Sequence, residues 1–243
     1  MESPIYIALS RQAALRRELN TVANNIANAS TNGFRGERTL FQEFLARVGG
    51  PGSKQFTSMT QDIGQMRDTR EGPLLPTGAP LDLAIRGQGY LVVGNPGQEM
   101  YTRAQSFALD EQRFVKTADG YPLLLEGGQQ LQIPQNDDRF TITADGEVRS
   151  QAGQLLGRLQ VVQFSDEQQM RRSGVNLWTT DQQALPAPDA QVIQGALEGS
   201  NVQAVVEVTR MIDMLRDYQS AQRLIDQEND RLRSAIQRIA RQA

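Results

Sequence analysis

Three pairs of adjacent carboxylates, Asp110/Glu111, Asp137/Asp138 and Asp166/Glu167, are the first candidates for chemistry in this sequence. Two carboxyl groups flanking a bond can hydrolyse a glycoside without histidine, provided one of them is held protonated. Each pair sits in polar, loop-like sequence that offers nothing to raise one pKa, so solvated turns are the expectation. Gly87-Gln88-Gly89 followed by Gly94 superficially resembles a dinucleotide loop. The third glycine is misplaced and the run that follows reads as a strand, so a tight turn is expected instead. No Asp-rich calcium loop is present. Trp178, the only tryptophan, reads as a core plug rather than a sugar platform. Cys and His are both absent, which excludes disulfides, thiolate nucleophiles, Cys/His zinc sites and the Ser-His-Asp triad. The residues therefore point to no catalytic, metal or cofactor site and to no small-molecule substrate.

The elements that position these groups have to be built from 243 residues, enough for one or two domains. Hydrophobic residues make up 39 %, which allows a thin core. The 25 basic and 28 acidic side chains nearly cancel, which gives no electrostatic reason to expect nucleic acid. No apolar run is long enough to insert in a membrane, and the mean hydropathy is −0.48. Met1-Glu2-Ser3-Pro4-Ile5 carries no cleavable secretion signal of the basic-then-apolar kind. On composition alone the chain would be cytoplasmic.

Both ends read as helix. Pro4 suits a first helical turn, and Ile5, Ala8, Leu15, Leu19, Val22, Ile26 and Ala29 then recur in steps of three and four, with Gln12 on the missing beat. Asn32-Gly33 is expected to close this helix. At the other end Val205, Val208, Ile212, Leu215, Ile225, Leu232, Ile236 and Ile239 fall on one heptad seam, interrupted by Gln219, Gln222 and Asn229. Such stripes are narrow, so each helix is expected to bury its seam on the other or on another copy of the chain.

The middle differs in kind. Gly49-Gly50-Pro51-Gly52-Ser53 and the Pro-rich stretch 72–80 read as breakers. From Leu81 onward short β signals recur at turn-sized spacing, among them Leu81–Ile85, Tyr90–Val93, Phe140–Thr143 and Leu159–Phe164. The phrase Thr-Ala-Asp-Gly occurs at 117–120 and again at 143–146, which predicts two similar hairpin turns. The expected fold class is α+β: long terminal helices forming a coiled-coil-like pair, with an antiparallel all-β domain inserted between them. The expected parts are an N-terminal helix over 1–35, an extended connector over 36–80, the β domain over 81–188 and a C-terminal helical segment over 189–243.

Four phrases carry a family resemblance. Ala23-Asn24-Asn25-Ile26-Ala27-Asn28-Ala29-Ser30-Thr31-Asn32-Gly33-Phe34-Arg35 is similar to the N-terminal signature of the flagellar rod and hook protein family. Leu81 to Tyr90 and Tyr101-Thr102-Arg103 resemble its central phrases. Leu197-Glu198-Gly199-Ser200-Asn201-Val202, with Met211-Ile212 and Arg216-Asp217-Tyr218, resembles its C-terminal signature. Gln105, where the family often has Gly, and Asp217, where it often has Ala, depart from the pattern. The short chain and the Leu-Glu-Gly-Ser-Asn-Val form resemble the proximal-rod branch; the distal-rod branch is the alternative. A secreted carbohydrate-binding or hydrolytic β domain with helical tails is the alternative from another class.

The resemblance implies a non-enzymatic subunit of the periplasmic basal-body rod that transmits torque, exported by the flagellar type III apparatus without signal cleavage. Its partners would be itself and other rod proteins, proximal and distal, and its terminal helices would form the inner layer of the shaft. The expected assembly interface comprises Ile5, Leu15, Leu19, Val22, Asn24, Asn25, Ile26, Asn28, Gly33 and Phe34 from the first segment. Ser200, Asn201, Val202, Val208, Ile212, Leu215, Tyr218, Ile225 and Leu232 complete it. Isolated narrow-stripe helices are marginal in water, so the ends are expected to order on joining neighbours. Three Asn within five residues oppose helix propensity, which favours a polar ladder between subunits over capping of a fraying end.

Overall fold

The computed structural model describes residues 3–47, 56–135, 139–174 and 176–242. The chain divides into two compact units, one built from residues up to 27, 36–68 and from 203 onward, the other from 28–35 and 69–202. Asp137, Asp138 and the Gly49–Ser53 breaker lie outside the described residues.

The first unit contains α1 (Ser3–Ala27), β1 (Glu37–Arg47), β2 (Phe56–Arg67) and α2 (Ala204–Gln242). α1 stops at Ala27, short of Asn32-Gly33, and the Thr31 N–H turns back to the Asn28 carbonyl (3.0 Å). The stretch 36–80 was expected to be a connector. Its first part is instead an antiparallel ribbon, with Glu37 opposite Arg67 and Arg47 opposite Phe56, bulged where Leu40/Phe41 face Gly64/Asp62. Polar residues such as Gln42, Gln61 and Gln65 are scattered through both strands, so no two-residue alternation marks the ribbon in the sequence.

The two helices run antiparallel, because partners of rising number on α1 have falling numbers on α2. Gln12 Nε2 donates to Gln222 Oε1 (2.5 Å), Glu18 pairs with Arg210 (2.9 Å), and Asn25 Nδ2 donates to Glu207 Oε2 (3.3 Å). Ala8, Ala14, Leu15 and Val22 of α1 are buried, as are Met214, Ala221 and Ile225 of α2. Gln12 and Gln222, polar interruptions of their separate seams, satisfy each other.

The second unit holds β3 (Leu74–Pro76), β4 (Asp82–Arg86), β5 (Tyr90–Asn95), β6 (Gln98–Thr102), β7 (Ala104–Ser106), β8 (Ala108–Leu109) and β9 (Val115–Lys116). It continues with β10 (Phe140–Ile142), β11 (Glu147–Ser150), β12 (Leu155–Arg158), β13 (Val161–Gln163), β14 (Arg171–Arg172), β15 (Trp178–Thr179), β16 (Leu185–Pro186), β17 (Gln191–Gln194) and β18 (Ala196–Glu198). Every strand pair among the described residues is antiparallel. The largest sheet has the order β14-β15-β6-β5-β13-β16, and β17-β4-β7 forms a second. Leu83, Ile85, Leu91, Val93, Leu123, Leu131, Ile133 and Leu159 are among the fully buried side chains of its core. This unit outreaches the expected 81–188 at both ends. β3 pairs with β18, and β17 pairs with β4, so 191–198 is strand rather than part of a helical segment. Pro186, taken as the exit from the β domain, sits on an outer strand, where a missing N–H is tolerated.

One turn recurs through this unit. At 110–114, 117–121, 125–129, 143–147 and 150–154 the first N–H donates to the fifth carbonyl and the fourth N–H to the first carbonyl. This is the three-residue hairpin loop that needs a left-handed fourth residue. That residue is Gly in four cases and Arg113 (φ 64°) in the other. In both Thr-Ala-Asp-Gly copies the threonine hydroxyl also accepts the fifth residue's N–H (both 3.1 Å), so the repeated phrase does encode one geometry.

Candidate assembly surface

Helix α2 presents two kinds of apolar surface. The stripe that α1 covers runs through Met214, Tyr218, Ala221 and Ile225 in steps of four, three and four. The same stepping continues through Leu232, Ile236 and Ile239, which are 37 %, 66 % and 69 % exposed. Contacts between the helices place Ser3, the first described residue of α1, roughly opposite residues 225–231 at 1.5 Å per residue, so these three side chains project past it. Val205, Val208, Ile212 and Leu215 form a separate exposed stripe. Ile212 and Met214 are two residues apart, about 200° around the helix axis, so this stripe faces away from α1. The heptad reading joined both into one seam, but a straight helix drifts about 20° per heptad against a strict seven-residue repeat.

The α1 candidates separate in the same way. Leu15 and Val22 are buried, Leu19 and Ile26 half-buried, and Ile5 lies within the helix. Asn24 is exposed and Asn28 half-buried. Asn25 is 4 % exposed and its amide is used inside the chain: Nδ2 donates to the Glu37 carbonyl (2.8 Å) and Oδ1 accepts the Glu37 N–H (2.9 Å). Within the chain, then, the Asn25 amide is engaged by its own ribbon rather than left open for a neighbour. A side-chain amide matches a peptide edge donor for acceptor, and here it fastens the root of the ribbon to α1. Thr21 adds a second fastening through Thr39 (3.0 Å) and Gln65 (3.2 Å).

The remaining candidates meet within the second unit. Arg103 Nε donates to Glu198 Oε2 (2.9 Å), Nη1 to the Gly87 and Gly89 carbonyls (both 2.9 Å), and Nη2 to the Ile85 carbonyl (3.2 Å) and Glu71 (3.3 Å). Glu198 in turn accepts the Gly72 N–H on Oε1 (3.0 Å) and the Gly33 N–H on its carbonyl (2.6 Å). Burial alone would pull the Arg103 pKa down; the Glu198 carboxylate, with Tyr90 and Glu71, carries it above its ordinary value. Asn201 accompanies the node, its N–H on the Phe34 carbonyl (3.2 Å) and its side chain on the Arg70 carbonyl (2.8 Å). The Ser200 hydroxyl accepts the Val202 N–H (3.2 Å). Phe34 is buried under the Arg172 guanidinium, 4.9 Å from its ring centre. Gly33, Phe34, Ser200, Asn201 and Val202 thus lie where the chain enters and leaves this unit. Expected as interface residues, Gly33 and Phe34 are buried in its interior, because the signature phrases close on one another.

Of the carboxylates singled out for chemistry, Asp110, Asp166 and Glu167 are spent on structure. Asp110 holds its own turn and pairs with Lys116 (2.6 Å), which pulls its carboxyl below the usual range. Asp166 caps a short 3₁₀ turn over Glu167–Gln169, and Glu167 pairs with the buried Arg35 (2.6 Å). Burial raises the Tyr90 hydroxyl far above its ordinary value, and the neighbouring Glu167 adds to the shift. A polar cleft of about 300 Å³ lies beside these groups, lined by Arg35, Glu71, Gln88, Arg103 and Glu167. The Gly87 turn aims carbonyls at a guanidinium, the reverse of a phosphate loop, which aims N–H groups at an anion. Trp178 is a core plug, buried with Tyr90, Tyr101, Phe164 and Met170. No group of three metal-ligating side chains occurs among the described residues, and no described helix is long and apolar enough to cross a membrane.

A helix with uncovered apolar stripes, beside a β unit whose Arg103, Glu198 and Glu167 are engaged in holding its own fold, fits a structural assembly protein. The chain belongs to the flagellar basal-body rod protein family. It matches three family models: the flagella basal body rod protein over 5–35, the flagellar hook protein FlgE/F/G D1 domain over 84–150, and the flagellar basal body rod FlgEFG protein C-terminal region over 193–238. It is 38 % identical over 247 residues to the flagellar basal-body rod protein FlgF of Caulobacter vibrioides, covering 99 % of each chain. It is 32 % identical over 230 residues to FlgF of Mesorhizobium japonicum, covering 93 % of each. To FlgG of C. vibrioides it is 31 % identical over 257 residues, covering 95 % of this chain and 97 % of that one.

Proposed function

We propose that this protein is a non-enzymatic structural subunit of the bacterial flagellar basal-body rod, in its proximal portion, polymerising through its terminal helices. It stands in the periplasmic drive shaft, reaches it through the flagellar type III export apparatus without signal cleavage, and carries torque between neighbouring rod proteins. End-to-end likeness to relatives named FlgF, higher than to those named FlgG, supports the proximal over the distal position. The observation that carries the assembly reading is α2, where one apolar stripe is sealed by α1 and two further stretches, Val205–Leu215 and Leu232–Ile239, are open to solvent. A folded subunit leaves such surface uncovered when a neighbour is to cover it.

The test is complementation. A bacterium lacking its own copy of this protein should neither build complete rods nor swim, and the intact chain should restore both. Leu215→Asp should restore neither while being made at normal level. Swimming by the deleted strain, or full rescue by Leu215→Asp, sinks the reading.

A further inference from the structure

Asn32-Gly33 is the only Asn-Gly pair in the sequence. Asparagine before glycine is the pair most prone to lose its side-chain amide, because no Cβ on the second residue obstructs its backbone nitrogen. In that reaction the Gly33 nitrogen gives its proton to a base and bonds Asn32 Cγ. The Cγ–Nδ2 bond breaks, ammonia leaves, and a five-membered cyclic imide remains. Water then opens either imide carbonyl. One opening gives aspartate; the other gives isoaspartate, in which the main chain runs through the former side chain. Water enters, ammonia leaves, and no oxidant or reductant is needed.

The folded second unit withholds both the nucleophile and the geometry. Gly33 is buried, and its N–H donates to the Glu198 carbonyl at 2.6 Å. The Phe34 N–H returns to the Thr31 carbonyl (3.2 Å) and Gly33 has φ 68°, which makes 31–34 a type II turn. The second residue of such a turn has ψ of about +120°, which swings the Gly33 nitrogen away from the Asn32 side chain. Ring closure needs ψ of the opposite sign. The Phe34 carbonyl is held in turn by the Asn201 N–H (3.2 Å). The hydrogen bonds to Glu198 and Asn201 join opposite ends of this unit's sequence, so they exist only once it has closed.

We infer that Asn32-Gly33 is a self-modification site, deamidating while the chain is unfolded and shut off when Gly33 donates to the Glu198 carbonyl. The isoaspartate product places an extra main-chain carbon between Asn32 Cα and the Gly33 nitrogen. A Cβ on Gly33 would already lie 3.6 Å from the Ala104 carbonyl oxygen and from the Asn176 side chain. That leaves little slack for the added carbon while Gly33 keeps its bond to Glu198. Chains that have waited unfolded are thereby marked by a form that does not complete the second unit.

The test follows the full-length chain at mildly alkaline pH, folded in buffer and unfolded in urea. Trypsin releases the peptide 18–35, and tandem mass spectrometry assigns the amide-to-acid mass change to a residue. Asn20, Asn24, Asn25 and Asn28 in the same peptide are internal references. In urea the change should appear at Asn32 ahead of those references, and in the folded chain it should be at least about tenfold slower. The slowing should match the hydrogen-exchange protection of the Gly33 amide, because both need the same opening. When urea is removed, isoaspartate chains should fail to regain the Trp178 unfolding transition. Asn32→Asp, with the same carboxylate on a normal main chain, should regain it. Equal rates at Asn32 with and without urea overturn the proposed guard, and no preference for Asn32 in urea overturns the site. Full refolding of the isoaspartate chains overturns the consequence drawn for the second unit.

Discussion

The guanidinium of Arg103 and the carboxylate of Glu198 are 95 residues apart in the chain and 2.9 Å apart in space, at 3 % and 2 % side-chain exposure. Arg103 has five N–H groups, and each has an acceptor in the second unit. Arg103→Met should destabilise that unit by about 3–5 kcal/mol, because it leaves a buried carboxylate without its counter-ion. Arg103→Lys should rescue little, since an ammonium cannot reproduce the planar fork. Trp178, the only tryptophan, lies in this unit, so fluorescence-monitored urea unfolding reads the effect directly. An unchanged midpoint would show that the pair contributes nothing.

Asn25→Ala removes both side-chain hydrogen bonds to the half-buried Glu37 peptide. The expected loss is about 2–4 kcal/mol from the first unit, at 1–3 kcal/mol for each unsatisfied group. It should show as a lower helical melting midpoint by circular dichroism while the Trp178 transition stays put. Coincident shifts of both transitions would refute the local assignment.

Adjacent residues on α2 should behave oppositely. Met214→Ala, inside the helix pair, is expected to cost about 2–5 kcal/mol of thermal stability through the cavity it leaves. Leu215→Asp, on the open face, should leave melting unchanged and abolish incorporation into rods. Equal melting behaviour of the two variants would contradict the facing described for α2.

Acid should act on the second unit through Asp145 and Glu147. The Thr143 hydroxyl holds Asp145 below the usual carboxylate range, and Arg149 does the same for Glu147. A carboxylate whose folded pKa is depressed contributes stability above its unfolded value of ~3.9–4.3, and that stability is lost as pH falls through the lower folded value. Stability should therefore hold from neutral pH to about pH 4 and decline below it. Asp145→Asn and Glu147→Gln together should flatten the decline, as measured by urea midpoints across that range.

Gly120→Ala isolates the backbone requirement of the recurring turn, since φ is 88° and nothing lies within 4 Å of an added Cβ. The expected cost is about 1–2 kcal/mol, the penalty of left-handed backbone for an L residue. A thermal midpoint equal to that of the unmutated protein would show that the turn relaxes.

The terminal helices and the β middle were legible because periodicity and turn chemistry are local. The Thr-Ala-Asp-Gly phrases foretold two similar turns, which the structure forms. The ribbon over 37–67 was not legible, because its strands mix polar and apolar residues without alternation. β17 was hidden because Pro186 and Pro188 look like an exit until an outer strand is seen to accommodate proline. Asn25 was assigned to a neighbour because sequence shows the cost of an amide in a helix but not the peptide 12 residues on that satisfies it. No local signal joins Arg103 to Glu198; only their places in two signature phrases could have suggested it.

Closure around Arg103 also sets an order of events. The counter-ion arrives at residue 198, after almost every strand of that unit has already been made. A nascent chain emerging amino end first makes Arg103 95 residues before Glu198, with Glu71 and the Ile85, Gly87 and Gly89 carbonyls already made ahead of it. The β unit gains the bridge from Arg103 to the Gly72 N–H, and the pairing of β18 with β3, only when Glu198 appears.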